Sequence, residues 1–244
     1  MCGICGCDSS KLAPVFGSVK ITKAPEKTTL ATQTIELHQD LMRSNHHQAE
    51  HNRDWFSHHN LSAINLVSSP GAGKTTLLEQ TLTRLRGRRG ALVIEGDQQT
   101  ELDAARIRAT GTPAVQIQTG QACHLDASMV HRALHQLPES DGALLLIENV
   151  GNLICPAMFD LGEKARVVLV SVTEGDDKPL KYPSIFHQAE LLIITKTDLL
   201  PYVQFDTRKC IEHARQIQPD LQVLELSATR GEGMTAWLDW LEGQ

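Results

Sequence analysis

Ile64-Asn65-Leu66-Val67-Ser68-Ser69-Pro70-Gly71-Ala72-Gly73-Lys74-Thr75-Thr76-Leu77-Leu78 decides how the rest of the chain is read. A short apolar run gives way to a small-residue turn, then to Gly-Lys-Thr and an apolar helix start. Strand, loop and helix in that order make a phosphate cradle. Gly71 and Gly73 let the backbone turn its N–H groups inward, with Ala72 between them and the dipole of the next helix aimed at the anion. Lys74 can reach the outer phosphates, the Thr75 hydroxyl can sit on Mg²⁺, and Thr76 continues the cradle into the helix. Ser68 stands where the standard motif has its first glycine, so that residue must find an allowed backbone conformation. A Gly-rich connector is the plain alternative, and Gly-Lys-Thr-Thr between strand and helix argues against it.

The chain has 244 residues and a net charge of −6. That is enough to bury a full core, and no basic block points to a nucleic-acid surface. No run approaches the ~18 apolar residues of a membrane span. The start, Met1-Cys2-Gly3-Ile4-Cys5-Gly6-Cys7, has neither the basic residues nor the apolar stretch of a signal peptide. The expectation is a soluble, cytoplasmic protein with no nucleic-acid or membrane partner. In that reducing compartment its six cysteines read as metal ligands or buried thiols.

Outward from the cradle, strands and helices alternate. Expected strands are Ala63–Val67, Ala91–Glu95, Ala114–Ile117, Ala143–Glu148, Arg166–Ser171, Leu191–Thr195 and Gln222–Leu226. Near-continuous apolar runs such as Ala143-Leu144-Leu145-Leu146-Ile147 suit strands buried on both faces. Helices are expected at about Thr75–Arg86, Glu101–Thr110, Ala127–Leu137, Asp206–Gln218 and Met234–Leu241. The fold class is therefore α/β, a mostly parallel sheet with helices on both faces over 61–244, ligands lying at the carboxyl ends of the strands. Before it come a cysteine-rich tip (1–7), a Ser-, Lys-, Pro- and Thr-rich tether (8–33) and a helix (34–60). That helix has a weak stripe of Ile35, Met42, Ala49 and Phe56, widened by Leu41 and Trp55, and its polar remainder carries a histidine cluster.

Four segments past strand ends complete a nucleotide switch. In Glu95-Gly96-Asp97, Asp97 is placed to hold Mg²⁺. Glu148-Asn149-Val150-Gly151-Asn152 resembles the Asp-x-x-Gly switch of GTPases with Glu for Asp, and the Gly151 N–H can bond a γ-phosphate. In Thr195-Lys196-Thr197-Asp198 the Asp198 carboxylate can accept both N1–H and N2–H of guanine, with the Lys196 stem along the base. In Leu226-Ser227-Ala228, a backbone N–H of Ser227 or Ala228 can meet guanine O6. Each segment alone is weak, and their order carries the guanine reading. Thr195 departs from the usual Asn, having one donor where an amide has two.

Cys2-x-x-Cys5-x-Cys7 can wrap one soft or borderline cation. Cys123, His124 and Cys155 form a second candidate set, in which Cys155 follows Gly151 on one short loop. Residue types leave that set open: Cys155 also reads as a buried small hydrophobe and His124 as a helix cap. His47, His51 and His58 share a helical face, which a solvated surface explains as well as a loose metal site. Cys210, in an amphipathic helix, reads as core.

Together these residues resemble the HypB family, the nickel-insertion GTPases that mature NiFe-hydrogenase. The resemblance spans Cys2/Cys5/Cys7, Ser68–Thr76, Glu95-Gly96-Asp97, Cys123-His124-Leu125-Asp126, Glu148–Asn152 and Thr173-Glu174-Gly175-Asp176-Asp177-Lys178-Pro179-Leu180-Lys181-Tyr182-Pro183. That family also opens its cradle with Ser. The resemblance implies GTP hydrolysis run by Lys74, Thr75, Asp97 and Glu148. It also implies a GTP-linked homodimer with Ni²⁺ or Zn²⁺ at Cys123, His124 and Cys155. Implied partners are a HypA-type zinc/nickel accessory protein and the hydrogenase large-subunit precursor. A urease-type nickel-insertion GTPase is the near alternative, lacking the Cys-x-x-Cys-Gly-Cys start. A nickel buffer with little nucleotide turnover is the distant one, disfavoured by intact Gly-Lys-Thr and Asp198.

Overall fold

The computed structural model describes residues 27–97 and 101–244, with side chains from Gln39 onward. The chain divides at His38, and all packing below belongs to the unit Gln39–Gln244. Cys2, Cys5, Cys7 and the tether as far as residue 26 lie outside the described residues, as do Gln98, Gln99 and Thr100.

Seven strands form one parallel sheet: β1 (Ser62–Ser68), β2 (Ala91–Asp97), β3 (Ala114–Gln118), β4 (Leu144–Glu148), β5 (Ala165–Ser171), β6 (Leu191–Thr195) and β7 (Gln222–Glu225). Their spatial order is β3-β2-β4-β1-β5-β6-β7. Strands β1, β4, β5 and β6 are buried along their whole length, which is why their sequences run apolar without alternation. The helices are α1 (Lys27–His58), α2 (Lys74–Leu85), α3 (Leu102–Ala109), α4 (Ala127–Leu134), α5 (Lys178–Lys181), α6 (Pro183–His187), α7 (Thr207–Ile217) and α8 (Met234–Glu242). The expected elements all form, with ends shifted by a few residues. The short α5 and α6 and two 3₁₀ turns, Cys155–Met158 and Thr197–Tyr202, were not anticipated. Among the described residues no helix is long and apolar enough to cross a membrane.

Three apolar clusters fill the interior. One lies under α2 and α8, centred on Leu66, Leu77 and Trp237. A second packs Phe186 and Cys210 against β5 and β6, so Cys210 is core as expected. The third packs Phe56 and Leu125 on β2 and β4. On α8, Trp237 Nε1 donates to Thr81 Oγ1 at 2.8 Å, bracing α2 from below.

Helix α1 departs from expectation in two ways. It begins at Lys27, not near Thr34, because neither Pro nor Gly falls between Pro25 and Pro70 and the Thr-rich stretch costs helix only weakly. Leu41, expected on the apolar stripe, is 52 % exposed, whereas Ala49 and Phe56 are buried. Polar anchors hold the helix instead. Asn45 Nδ2 donates to the Asp160 carbonyl at 2.8 Å, and its Oδ1 accepts from Ala127 N at 2.9 Å. Asn52, fully buried, donates to the carbonyls of Ala127 and Leu161, both at 2.9 Å. Both asparagines tie α1 to the start of α4 and so to the loop before it.

Replacing Asn52 with Ala strands two buried carbonyls. The expected loss is about 1–3 kcal/mol of unfolding free energy, read as a lower urea midpoint at unchanged m.

Candidate nucleotide and metal site

All seven strands point their carboxyl ends at one edge of the sheet, and each delivers a segment there. Past β1 the cradle turns at Gly71 (φ 73°) and Gly73 (φ 97°), conformations that L side chains rarely adopt. Ser68 does not have a positive φ. Its hydroxyl donates to the Ser69 carbonyl at 2.6 Å and accepts from Lys74 Nζ at 2.9 Å. Serine at the first position thus parks the lysine inside the cradle.

Register explains the acidic wall. Glu148 on β4 is the direct partner of Leu66 on β1 and of Glu95 on β2. Directly paired residues of parallel strands project on the same face, so the two glutamates lie side by side, both nearly inaccessible. Thr75 Oγ1 donates to Glu148 Oε1 at 2.9 Å. Burial, reinforced by the Glu148 charge, pushes Glu95 up to about 11, and burial also raises Glu148 against the pull of Lys74. Oε2 of each glutamate is buried without a hydrogen-bond partner. Two orphaned carboxylate oxygens beside a threonine hydroxyl are a hard donor set that fits Mg²⁺. Nothing local in the sequence marks Glu95; its pairing with Glu148 is visible only through the register.

The cavity over this wall has a volume of about 460 Å³ and is lined by Lys74, Thr75, Asp97, Glu148, Gly151 and Arg106 among others. A second cavity of about 190 Å³ adjoins it, sharing Gly73, Thr76 and Lys196, and is lined by Ala72, Asp198, Ser227 and Ala228. The segments past β1 and β6 therefore meet in one groove. Lys196 takes a left-handed φ of 58° and donates from Nζ to the Gly71 carbonyl at 2.6 Å. Asp198 Oδ1 accepts from Ser227 Oγ at 2.6 Å. Thr195, where one donor replaces two, spends it on the Ala72 carbonyl at 2.7 Å and so still ties the loop after β6 to the cradle. Lys178, from the Thr173–Pro183 motif, crosses from β5 to donate to Ser69 Oγ at 2.9 Å while pairing with Glu174 at 2.9 Å. Nothing local in the sequence signals that reach.

Beside the groove lie Cys123, His124 and Cys155, each half-buried, with ligand atoms all within 4.8 Å of one another. Among the described residues they are the one such cluster. The Sγ atoms are 2.7 Å apart, and His124 stacks on Phe159 with centroids at 3.8 Å. Sharing a hydrogen bond with Cys123 raises the Cys155 thiol, and burial lowers His124, keeping it neutral and able to ligate. The α4 cap is Asp126, which accepts from Met129 N at 2.7 Å, so His124 does not serve as one. Cys155 opens a 3₁₀ turn and is not a buried hydrophobe.

One residue joins cluster to groove. Asn149, 1 % exposed, accepts at Oδ1 from Leu125 N (3.1 Å), next to His124, and from Val150 N (3.0 Å), next to Gly151. Its Nδ2 donates to Asn65 Oδ1 at 3.3 Å.

Residues 62–225 match the family model described as CobW/HypB/UreG, nucleotide-binding domain. The hydrogenase maturation factor HypB of Escherichia coli K12 is 47 % identical, with 100 % of this chain and 99 % of that protein covered. The chain belongs to the HypB family of hydrogenase maturation factors. The HypB of Azotobacter chroococcum mcd 1 is 56 % identical over 87 % of this chain and 70 % of its own length. A crystal structure of HypB from Helicobacter pylori in complex with nickel superposes with a TM-score of 0.77 at 38 % identity, covering 82 % of this chain and 94 % of that one. HypB from Archaeoglobus fulgidus gives 0.77 at 42 %, covering 82 % and 98 %.

Gly151 carries a steric test of the groove. A Cβ there would lie 2.9 Å from Pro70 Cα and 3.0 Å from Pro70 N, backbone that cannot yield cheaply. Gly151→Ala should weaken nucleotide binding about tenfold or more, ~1.4 kcal/mol, in a fluorescent-nucleotide titration.

Proposed function

We propose that this chain is a GTP-hydrolysing nickel metallochaperone that delivers nickel during NiFe-hydrogenase maturation. The observation that carries the reading is Asn149, whose one carboxamide oxygen holds the loop of Gly151 and the loop of His124 together. Family membership supports the hydrogenase connection.

In this reading the substrate triphosphate lies in the larger cavity and guanine in the smaller. Lys74 leaves Ser68 to compensate charge on the β/γ-phosphates, and the Gly151 N–H donates to the γ-phosphate. Mg²⁺, when bound, neutralises phosphate oxygens; Thr75 and Asp97 would hold it, with Glu148 and Glu95 behind them. The buried glutamate pair keeps a proton beside the Thr75 hydroxyl until a cation displaces it. Asp198 exchanges the Ser227 hydroxyl for the N1–H and N2–H of guanine, while Ser227 and Ala228 offer backbone donors to O6. Nickel is cargo: Cys123, His124 and Cys155 hold it, or Zn²⁺, in the folded domain, and Cys2, Cys5 and Cys7 hold a further ion. The proposed assembly is a cytoplasmic homodimer that works with a HypA-type accessory protein and the hydrogenase large-subunit precursor.

Asp198→Asn replaces one guanine acceptor with a donor. Turnover and competition binding should shift from GTP toward xanthosine triphosphate, whose carbonyl stands where guanine has its amine. An unchanged preference for GTP would remove Asp198 from the base site.

Linkage supplies the second test. Nickel affinity at the Cys123 cluster, titrated with GDP and then with a non-hydrolysable GTP analogue, should differ between a few-fold and about a hundredfold, ~1–3 kcal/mol. Asn149→Ala should bring that ratio toward one. Equal nickel affinities in the two nucleotide states of the unmutated protein would separate the sites and end the switch mechanism.

A further inference from the structure

The carboxyl end of helix α4 holds two histidines that neither the nucleotide groove nor the cysteine cluster uses, His131 in its last turn and His135 as its C-cap. His131 and His135 are one turn apart, and their Nε2 atoms face each other at 3.3 Å. Two nitrogens bound at ~2.0–2.1 Å to one tetrahedral ion stand about 3.3–3.4 Å apart, so the pair already has the spacing of a chelate. Orientation favours the same nitrogens. Nδ1 of His131 is buried and has no hydrogen-bond partner, which leaves Nε2 as the nitrogen turned toward His135.

Helix α1 builds the floor and one side of this place. The Trp55 ring meets His135 edge-on at 5.0 Å and His131 at 6.4 Å, and tilts against His59 at 4.6 Å. Burial, reinforced by the neighbouring His135 and His51, holds His131 below the usual imidazole range. Neutral imidazole is the ligating form. His59 is engaged elsewhere, its Nδ1 lying 3.0 Å from Asp141 Oδ1. A hydrogen bond between two neutral imidazoles would also give 3.3 Å, but it would not select for metal.

We propose that His131 and His135, at the carboxyl end of α4, chelate a borderline divalent cation such as Ni²⁺ in a separate surface site, with solvent completing its coordination. Imidazole without thiolate suits Ni²⁺, Cu²⁺ and Zn²⁺ and disfavours Mg²⁺ and Ca²⁺. The site is open on one side, because His135 is exposed and His131 half-buried, and it therefore exchanges its ion readily. It rests on residues that the nucleotide and cysteine chemistry does not touch, so it stands or falls apart from the proposed GTPase activity.

Trp55 is the built-in reporter, since a paramagnetic ion within a few ångströms of an indole quenches it. Full-length protein is titrated with Ni²⁺ alone, following tryptophan emission and, by equilibrium dialysis, bound metal. The expected result is a quenching phase that accompanies about one equivalent of Ni²⁺ and is absent in Trp55→Phe. That phase should persist in Cys123→Ser/Cys155→Ser. In His131→Gln/His135→Gln its Ni²⁺ affinity should fall at least tenfold. His135→Gln alone, at an exposed position, should also lose the chelate and keeps the test valid if the double variant folds poorly by circular dichroism. Undiminished quenching and stoichiometry in both His135 variants would overturn the proposal. So would a phase that depends on His51 and His58 but not on α4, since the ion would then belong to α1.

Discussion

Parallel pairing of β1 with β4 on one side and β5 on the other is the constraint from which the site follows. With every strand running the same way, all the loops that leave carboxyl ends converge, and the cradle after β1 sits at the middle of that edge. The register then fixes chemistry as well as position. Pairing Glu95 with Glu148 across β2 and β4 forces two carboxylates into a dry space. Their mutual repulsion is tolerable only while a proton, or a cation, lies close by. A slip of one residue would turn either side chain to the other face of the sheet and dissolve both the acidic wall and its link to Thr75.

The parts of this architecture that depend on local composition were legible. Strands β1, β4, β5 and β6 are buried on both faces and therefore spell themselves as Val, Leu and Ile runs. The cradle was legible because Gly71 and Gly73 need conformations that few residues adopt. Contacts that close across the fold were not. The reach of Lys178 to Ser69 joins the loops that follow β5 and β1, the Glu95–Glu148 pair needs the register, and the meeting of Trp55 with His131 and His135 needs α1 laid against α4. Leu41 misled for a related reason. Helical spacing placed it beside an apolar stripe, yet Asn45 and Asn52 do much of the docking, and polar anchors leave no hydrophobic period.

The candidate metal cluster shows how a structure separates readings that residue types leave level. Cys155 as a small buried hydrophobe and His124 as a helix cap were both reasonable from sequence. Asp126 takes the cap, and Cys155 starts a turn that leaves its sulfur half-buried against Cys123. Thr195 is resolved similarly. With a single donor it cannot reproduce an amide, but aimed at the Ala72 carbonyl that donor joins the loop after β6 to the cradle.

The carboxamide of Asn149 has a consequence for time as well as for affinity. Its oxygen has two lone pairs; one accepts from Val150 of its own loop and the other from Leu125 of the facing loop. If the two loops part, the carboxamide stays with its own loop as a buried group that has lost half its support, and the Leu125 amide loses its acceptor, so the two departures tend to become one event. A shared acceptor of this kind acts as a clock pin: opening at the phosphate side and loosening at the thiol side would have a common dwell time. Two sites that merely neighbour each other would keep independent rhythms.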